Sequence, residues 1–254
     1  MAANLEIEDL DQLLRRSVAE GNYNEVEAVL QMGANVNKVI FSTNEGEMTP
    51  LHMAVKVGRK EIVKLLLQNG ANPNLDEEGA IGFDSPFHSA IQRKKNEIAL
   101  LLMDYGANIN RKYVWERAPL RSAIEENNVQ MTKALIENGA IVDEEWLEPI
   151  DDEDRSHLQY AIELGAKEDI LEMLIGSGAD MNRKTPGPSI VDTPLHLAVR
   201  YKNGDGIKTL LKYGADPNLL NIEEDDQYVR LTPAELALES KFTDIVKIFL
   251  HNQH

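Results

Sequence analysis

Apolar residues along this chain come in short bursts at helical spacing. In Glu61-Ile62-Val63-Lys64-Leu65-Leu66-Leu67 they occupy one face of a helix, with charged residues on the other. A briefer burst, Leu51, Ala54 and Val55, precedes it, and its small alanine lets a second helix approach closely. The pattern predicts a short helix followed by another, and the same pair of bursts recurs along the chain.

The boundaries are as legible as the faces. Thr49, Ser85, Ser156, Thr193 and Thr232 stand where the first helix of a pair begins. Their hydroxyls can accept from N–H groups that the first helical turn leaves unpaired. Pro50, Pro86, Pro119, Pro194 and Pro233 occupy the first-turn position that tolerates proline best. The second helix of each pair ends at Gly33, Gly70, Gly106, Gly139, Gly178 or Gly214, where a chain leaves its helix left-handed. The first helix ends at Gly21, Gly58 and Gly165, but the matching positions elsewhere are Lys94, Asn127, Lys202 and Lys241. A left-handed turn at those four costs on the order of 1 kcal/mol each.

The two-helix phrase is written seven times. Fuller versions are TPLHMAVKVGRKEIVKLLLQNGANPN at 49–74, SPFHSAIQRKKNEIALLLMDYGANIN at 85–110 and TPLHLAVRYKNGDGIKTLLKYGADPN at 193–218. Copies begin at 49, 85, 118, 156, 193 and 232, in steps of 36, 33, 38, 37 and 39 residues. A degenerate first copy has Gln12-Leu13-Leu14-Arg15 at its start and closes at Asn37; a shortened last copy starts at Thr232. One such unit cannot bury its apolar face alone, so the units must stack. The end copies read as caps of a single domain, 1–254. Repeat four has Arg121 where others have His, and repeat five carries one extra residue between Ala161 and Gly178, so the centre is predicted to be the softest part.

With T-P-L-H at its opening and G-A-D/N-x-N at its close, the unit closely resembles the ankyrin repeat, over roughly residues 12–254. That resemblance implies an all-α repeat fold: an ankyrin-repeat solenoid of stacked helix pairs joined by β-hairpin fingers. The repeats would span 12–37, 49–74, 85–110, 118–143, 156–182, 193–218 and 232–254. It implies a protein-binding module working through a concave face of inner helices and through the fingers at its edge. It also gives His52, His88 and His196 a structural part, bonding to neighbouring backbone, in place of a metal array. The repeat-closing Asn37, Asn74, Asn110, Asn182 and Asn218 resemble an asparagine that is hydroxylated in some members of the family.

A 33-residue repeat leaves seven residues between its closing Asn and the next start. Only 111–117 keeps that length here; 38–48, 75–84, 144–155, 183–192 and 219–231 run from 10 to 13 residues, so several fingers are expanded. In chain order the six connectors carry −1, −4, +2, −6, +1 and −3, or −11 of the total charge of −17. Acidic blocks Asp76-Glu77-Glu78, Asp151-Asp152-Glu153-Asp154 and Glu223-Glu224-Asp225-Asp226 carry much of that charge. They serve either as solvated loop tips or as contacts for a basic partner. The aromatics Trp115, Trp146 and Tyr228 also lie there, and aromatic side chains dominate many interfaces. By the resemblance, the concave face uses the two residues after the Ala-Val/Ile pair of each inner helix. These include Lys56/Val57, Gln92/Arg93, Glu125/Glu126, Glu163/Leu164 and Arg200/Tyr201, with Ala19/Glu20 and Glu239/Ser240 at the two ends. Repeats two, three and six would be basic there, four and five acidic. The partner-binding candidates are thus Lys56, Val57, Gln92, Arg93, Trp115, Glu125, Glu126, Trp146, Glu163, Arg200, Tyr201 and Tyr228.

Composition narrows the function classes. A charge of −17 opposes binding to nucleic acid or anionic membrane and favours a basic partner through long-range steering. No run of 18 apolar residues exists, and the N-terminus lacks a secretory pattern. Cysteine is absent, as are N-x-S/T sequons, which points to cytosol or nucleus, or to a host cytosol for a delivered effector. No phosphate-binding, zinc-protease or nucleophile-elbow motif occurs. Thr185-Pro186, within a connector, matches a proline-directed phosphorylation pattern. The expectation is a non-enzymatic module without cofactor, monomeric when free, that binds another protein as an inhibitor or regulator by occlusion. A scaffold subunit and a pathogen effector are the alternatives.

Overall fold

A computed structural model of the protein describes residues 7–42, 46–75, 85–110, 118–143, 155–184, 191–221 and 230–251. Their helices come in seven pairs: α1 (Ile7–Glu20) with α2 (Tyr23–Gln31), α3 (Pro50–Val57) with α4 (Lys60–Gln68), α5 (Pro86–Gln92) with α6 (Asn96–Asp104), α7 (Pro119–Glu125) with α8 (Val129–Glu137), α9 (His157–Glu163) with α10 (Glu168–Gly176), α11 (Pro194–Arg200) with α12 (Gly204–Lys212), and α13 (Pro233–Glu239) with α14 (Thr243–His251). The fold is an all-α repeat. One hairpin is present among the described residues: β1 (Ile40–Ser42) pairs antiparallel with β2 (Gly46–Met48), Phe41 opposite Glu47, in the connector expected to form the first finger.

The helices divide into two compact units, residues 1–122 and 123–254, with the boundary inside α7. In the first, inner helices α1, α3 and α5 pack side by side, as do outer helices α2, α4 and α6. Its core includes Leu14, Val18, Leu51, Val55, Leu66, Phe87, Ile91 and Leu102, all almost entirely buried. In the second, α9, α11 and α13 form the inner row and α8, α10, α12 and α14 the outer one, around Leu135, Ile162, Leu174, Val199 and Leu210. Leu238 occupies the position that Val18, Val55, Ile91, Ile162 and Val199 fill in other repeats. Those five are fully buried, whereas Leu238 is 60% exposed, because no further helix pair among the described residues packs on α13.

Expected caps form as read. Thr49, Ser85, Ser156, Thr193 and Thr232 each accept from the backbone N–H three residues on. Lys94, Asn127, Lys202 and Lys241 all take the left-handed conformation, with φ of 55, 51, 54 and 59°, the one that Gly21, Gly58 and Gly165 adopt at the same corner. The first helix departs from expectation. The repeat pattern starts it at residue 12, yet α1 begins at Ile7, since no Thr-Pro pair halts the helix there. The extension includes Asp11, whose buried carboxylate accepts from the Asn35 N–H at 2.8 Å. The extra residue of repeat five is Ala166, buried between the left-handed Gly165 and Lys167, the residue before α10.

The repeat-closing sequence has two jobs. The residue two before the closing Asn folds its side chain onto that Asn's N–H, as in Asn35 to Asn37 (3.0 Å), Asn72 to Asn74 (2.9 Å) and Asp216 to Asn218 (2.9 Å). The closing side chain then reaches the next repeat. Asn37 donates to the Gly70 carbonyl (3.0 Å) and accepts from the Asn72 N–H (2.8 Å). Asn74 does the same with Gly106 and Asn108, at 2.8 Å each, and Asn182 accepts from Asp216 (2.9 Å). In repeat four Asp143 stands in, accepting from the Asp180 N–H and from Arg183 at 3.0 Å.

Histidines at the fourth motif position are structural. His196 faces the Thr193 N–H with Nδ1 (3.3 Å) and the Leu231 carbonyl with Nε2 (2.9 Å), so Nδ1 accepts and Nε2 donates. Only a neutral ring satisfies both. His52 caps Thr49 alike, at 3.4 Å from its N–H, and His88 Nε2 lies 2.7 Å from the Ser122 hydroxyl. In repeat five Gln159 replaces the ring, accepting from Ser156 N–H (2.9 Å) and donating to the Arg183 carbonyl (2.8 Å).

Burial lowers the pKa of His196 and pushes that of His52 down to about 4 from 6.5. The folded state therefore binds fewer protons than the unfolded chain between those values. The contribution of His52 is full above pH 6.5 and is lost as pH falls toward 4, on the order of 2–3 kcal/mol. His52→Gln, built on the precedent of Gln159, should reduce that acid loss, measured by urea denaturation across the window; parallel pH curves for variant and wild type would refute it. Lys241→Gly relieves left-handed strain of roughly 1–2 kcal/mol against an unfolded-state cost of about 0.4–1 kcal/mol. It should raise stability by roughly 0.5–1 kcal/mol, and a lower urea midpoint would contradict the strain argument.

Candidate partner-binding surface

The described candidates lie at the carboxyl ends of inner helices, where each last turn leaves carbonyls without intrahelical partners. At the end of α3 the neighbouring repeat supplies those partners. Lys95, before α6, sends its ammonium to the Val55 carbonyl (2.9 Å) and to the Lys56 carbonyl (2.8 Å) at the end of α3. Partial desolvation, then the nearby Arg93 charge, holds the Lys95 pKa below the usual lysine range. Around this anchor Val57 is 41% exposed, Gln92 and Arg93 are exposed, and Arg93 bonds to the Ser89 hydroxyl at 3.3 Å. Lys56, Val57, Gln92 and Arg93 thus share one basic, partly apolar surface around the adjacent ends of α3 and α5.

In the second unit, Asn203 plays the part of Lys95, donating to the Ile162 carbonyl at 3.0 Å. Glu125 ends α7 and Glu126 follows it, the former exposed and the latter half-buried. Glu163 and Tyr201 are joined directly: the Tyr201 hydroxyl donates to the Glu163 carboxylate at 2.6 Å. Arg155 binds the same carboxylate, donates to the Tyr201 hydroxyl at 3.1 Å and lies 5.9 Å from the centre of its ring. Arg200 is held by the buried Asp192 at 2.6 Å. The acidic character expected at Glu163 is therefore neutralised. What the surface offers is Tyr201 and Leu164, 42% and 45% exposed, beside charges already paired.

Sequence reasoning did not single out Arg155 or Asp192. Each immediately precedes a helix-capping Ser or Thr and binds the residue eight positions later, at the far end of the same inner helix. Opposite charges eight apart, flanking a TPLH-like start, are the signal that finds them. Trp115, Trp146, Tyr228, Thr185 and the three acidic blocks lie outside the described residues. No group of three or more His, Asp or Glu side chains among the described residues could hold a metal, and none of the described helices is long and apolar enough to cross a membrane.

Cutting the Arg155 contacts should matter beyond charge. Arg155 and Glu163 are both largely shielded, so Arg155→Ala should cost about 1 kcal/mol, above the median for open pairs. In a double-mutant cycle with Tyr201→Phe, followed by urea denaturation, a coupling of about 0.5–1 kcal/mol is expected; additivity would show that the two do not act together.

Comparison with known proteins gives a consistent picture. Family models described as "Ankyrin repeats (3 copies)" and "Ankyrin repeat" match residues 87–185 and residues 46–77 and 192–222, respectively. The chain is 31% identical over 222 residues to Rabankyrin-5 of Mus musculus, covering 83% of this chain and 18% of that protein. It is 44% identical over 78 residues to the 2-5A-dependent ribonuclease of Homo sapiens, covering 30% of this chain and 10% of that protein. It therefore spans less than a fifth of the length of these relatives. Among solved structures, the ankyrin repeat domain of Bcl-3 superposes with a TM-score of 0.72 at 24% identity, covering 93% of this chain and 97% of that one, a likeness of fold.

Proposed function

The chain belongs to the ankyrin-repeat family, whose members are in general protein–protein interaction modules, and on that premise we propose that it binds a basic partner protein and regulates it by occlusion. The observation that carries this reading is the pre-set surface of the second unit. Arg155 and Asp192 hold Glu163, Tyr201 and Arg200 in place before any partner arrives. Little side-chain ordering then remains to oppose binding. Tyr201 and Leu164 supply aromatic and apolar contact, the residue classes that anchor interfaces, inside a ring of satisfied charge. The overall charge of −17, concentrated in the connectors, would speed encounter with a basic surface. Trp115, Trp146 and Tyr228, on the connectors, would extend the contact. We take residues 1–254 as one binding domain without catalytic chemistry, monomeric when free, acting in cytosol or nucleus.

The test is affinity capture from a cytosolic extract with quantitative mass spectrometry, comparing wild type with Leu164→Ser/Tyr201→Ala and with Trp115→Ala/Trp146→Ala. Circular dichroism establishes that all three are folded. A basic protein captured by wild type should be lost with Leu164→Ser/Tyr201→Ala, and its association should slow as salt rises. Partners captured equally by all three would overturn this placement of the surface. Several partners held simultaneously by wild type would favour a scaffold over an inhibitor.

A further inference from the structure

The first unit also carries a cleft of about 570 Å³ between α2 and α4. Its size falls within the range of small-molecule sites. Tyr23, the first residue of α2, stands on one side, 39% exposed; Arg59, Lys64 and Gln68 line the other, and the nearly buried Ile62 contributes an apolar patch. We propose that this cleft binds a small molecule with a flat aromatic body and a single negative charge.

The charges make the case. The side chains of Arg59 and Lys64 are exposed and make no hydrogen bond or ion pair with another described residue. Residues at the matching positions are mostly engaged. Where Arg59 stands, Lys95 and Asn203 bind carbonyls of the preceding inner helix, and Asn22 and Asn128 cap their own outer helices. Where Lys64 stands, Lys133, Lys208 and Lys247 pair within their helices at 3.8, 3.1 and 3.2 Å. Two uncommitted cations sharing a concave lining are out of character in a chain of charge −17. Glu61, also in the lining, offsets one of them, which leaves room for one anionic group.

The shape supports the same ligand. Gly21, at the left-handed corner before Tyr23, has no side chain, and a Cβ there would come within 3.1 Å of the Arg59 Nε. The guanidinium therefore rests against bare backbone, which limits its freedom and orients its planar fork for an oxyanion. Among the described outer helices only α2 begins with an aromatic residue, and Tyr23 gives this cleft a ring for stacking. A planar body against Tyr23 and Ile62, with its anion toward Arg59 and Lys64, uses every distinctive group of the lining.

Phenyl sulfate is the probe, with inorganic sulfate and phenol as its separate halves, titrated into the 15N-labelled full chain. Saturable shifts of amides at 21–23 and 59–64, with a dissociation constant in roughly the millimolar range expected for so small a ligand, would support the site. Arg59→Gln and Lys64→Gln should each weaken binding about tenfold, since each removes a charge-assisted contact. Tyr23→Ala should weaken phenyl sulfate but leave sulfate unchanged. Lys133→Gln, which alters a lysine paired in its own helix, should change nothing. Arg59 makes no side-chain cap to its helix, so its loss leaves the fold intact, as circular dichroism would show. Absence of shifts, shifts unchanged in Arg59→Gln, or equal shifts with phenol alone would each overturn the proposal.

Discussion

Within each unit, helix pairs leave polar backbone groups that side chains of a neighbouring pair satisfy. The closing side chains of Asn37, Asn74 and Asn182 bond to backbone of the following turn, and Lys95 and Asn203 return to carbonyls at the end of the preceding inner helix. His196 and Gln159 bind backbone carbonyls in the connector that follows their own repeat. Apolar burial brings the helices together, but it is tolerant of small displacements. Directional hydrogen bonds are not, and where they are partly buried, as at Lys95, Asn203, His196 and Gln159, an unmet donor or acceptor costs about 1–3 kcal/mol. These bonds fix the register between successive repeats within each unit, and with it the spacing of the exposed helix ends there. Residues some 35 positions apart along the chain become neighbours on one surface.

Much of this was legible in the sequence. Caps, first-turn prolines and closing glycines are local signals, each with a local cause, and they survive into the fold. The left-handed corners were readable even at Lys94, Asn127, Lys202 and Lys241, because repetition shows where glycine would stand. The early start of α1 was less visible, since the pattern marks where a Thr-Pro pair begins a helix and is silent where that pair is missing. The inter-repeat role of the closing asparagines was not read, because a residue type alone does not say which distant backbone it meets.

The candidate surface was legible in place but not in charge. Position in the repeat located Glu163, Arg200 and Tyr201, yet formal charges could not reveal that Arg155 and Asp192 neutralise two of them. By sequence Arg155 belongs to the acidic connector 144–155, and only folding brings its side chain to the far end of the inner helix it precedes. A carboxylate bound by an arginine and a tyrosine hydroxyl is no longer a general attractant for cations. It becomes part of the scaffolding that holds an aromatic ring toward solvent. Selectivity on such a surface would depend on shape around Tyr201 more than on the sign of the charge.

The closing asparagines have one more consequence. Asn37, Asn74 and Asn182 complete their bonds to the next repeat at the point where the chain is about to enter a connector. The junction is anchored at the mouth of each excursion, whatever the excursion does. Connectors of 10 and 11 residues follow Asn74 and Asn37, yet both asparagines meet the next turn at 2.8 Å. The framework is thereby insulated from its own loops. Such a division lets evolution, or a protein engineer, lengthen and rewrite these segments as interchangeable cassettes while the carrier stays constant.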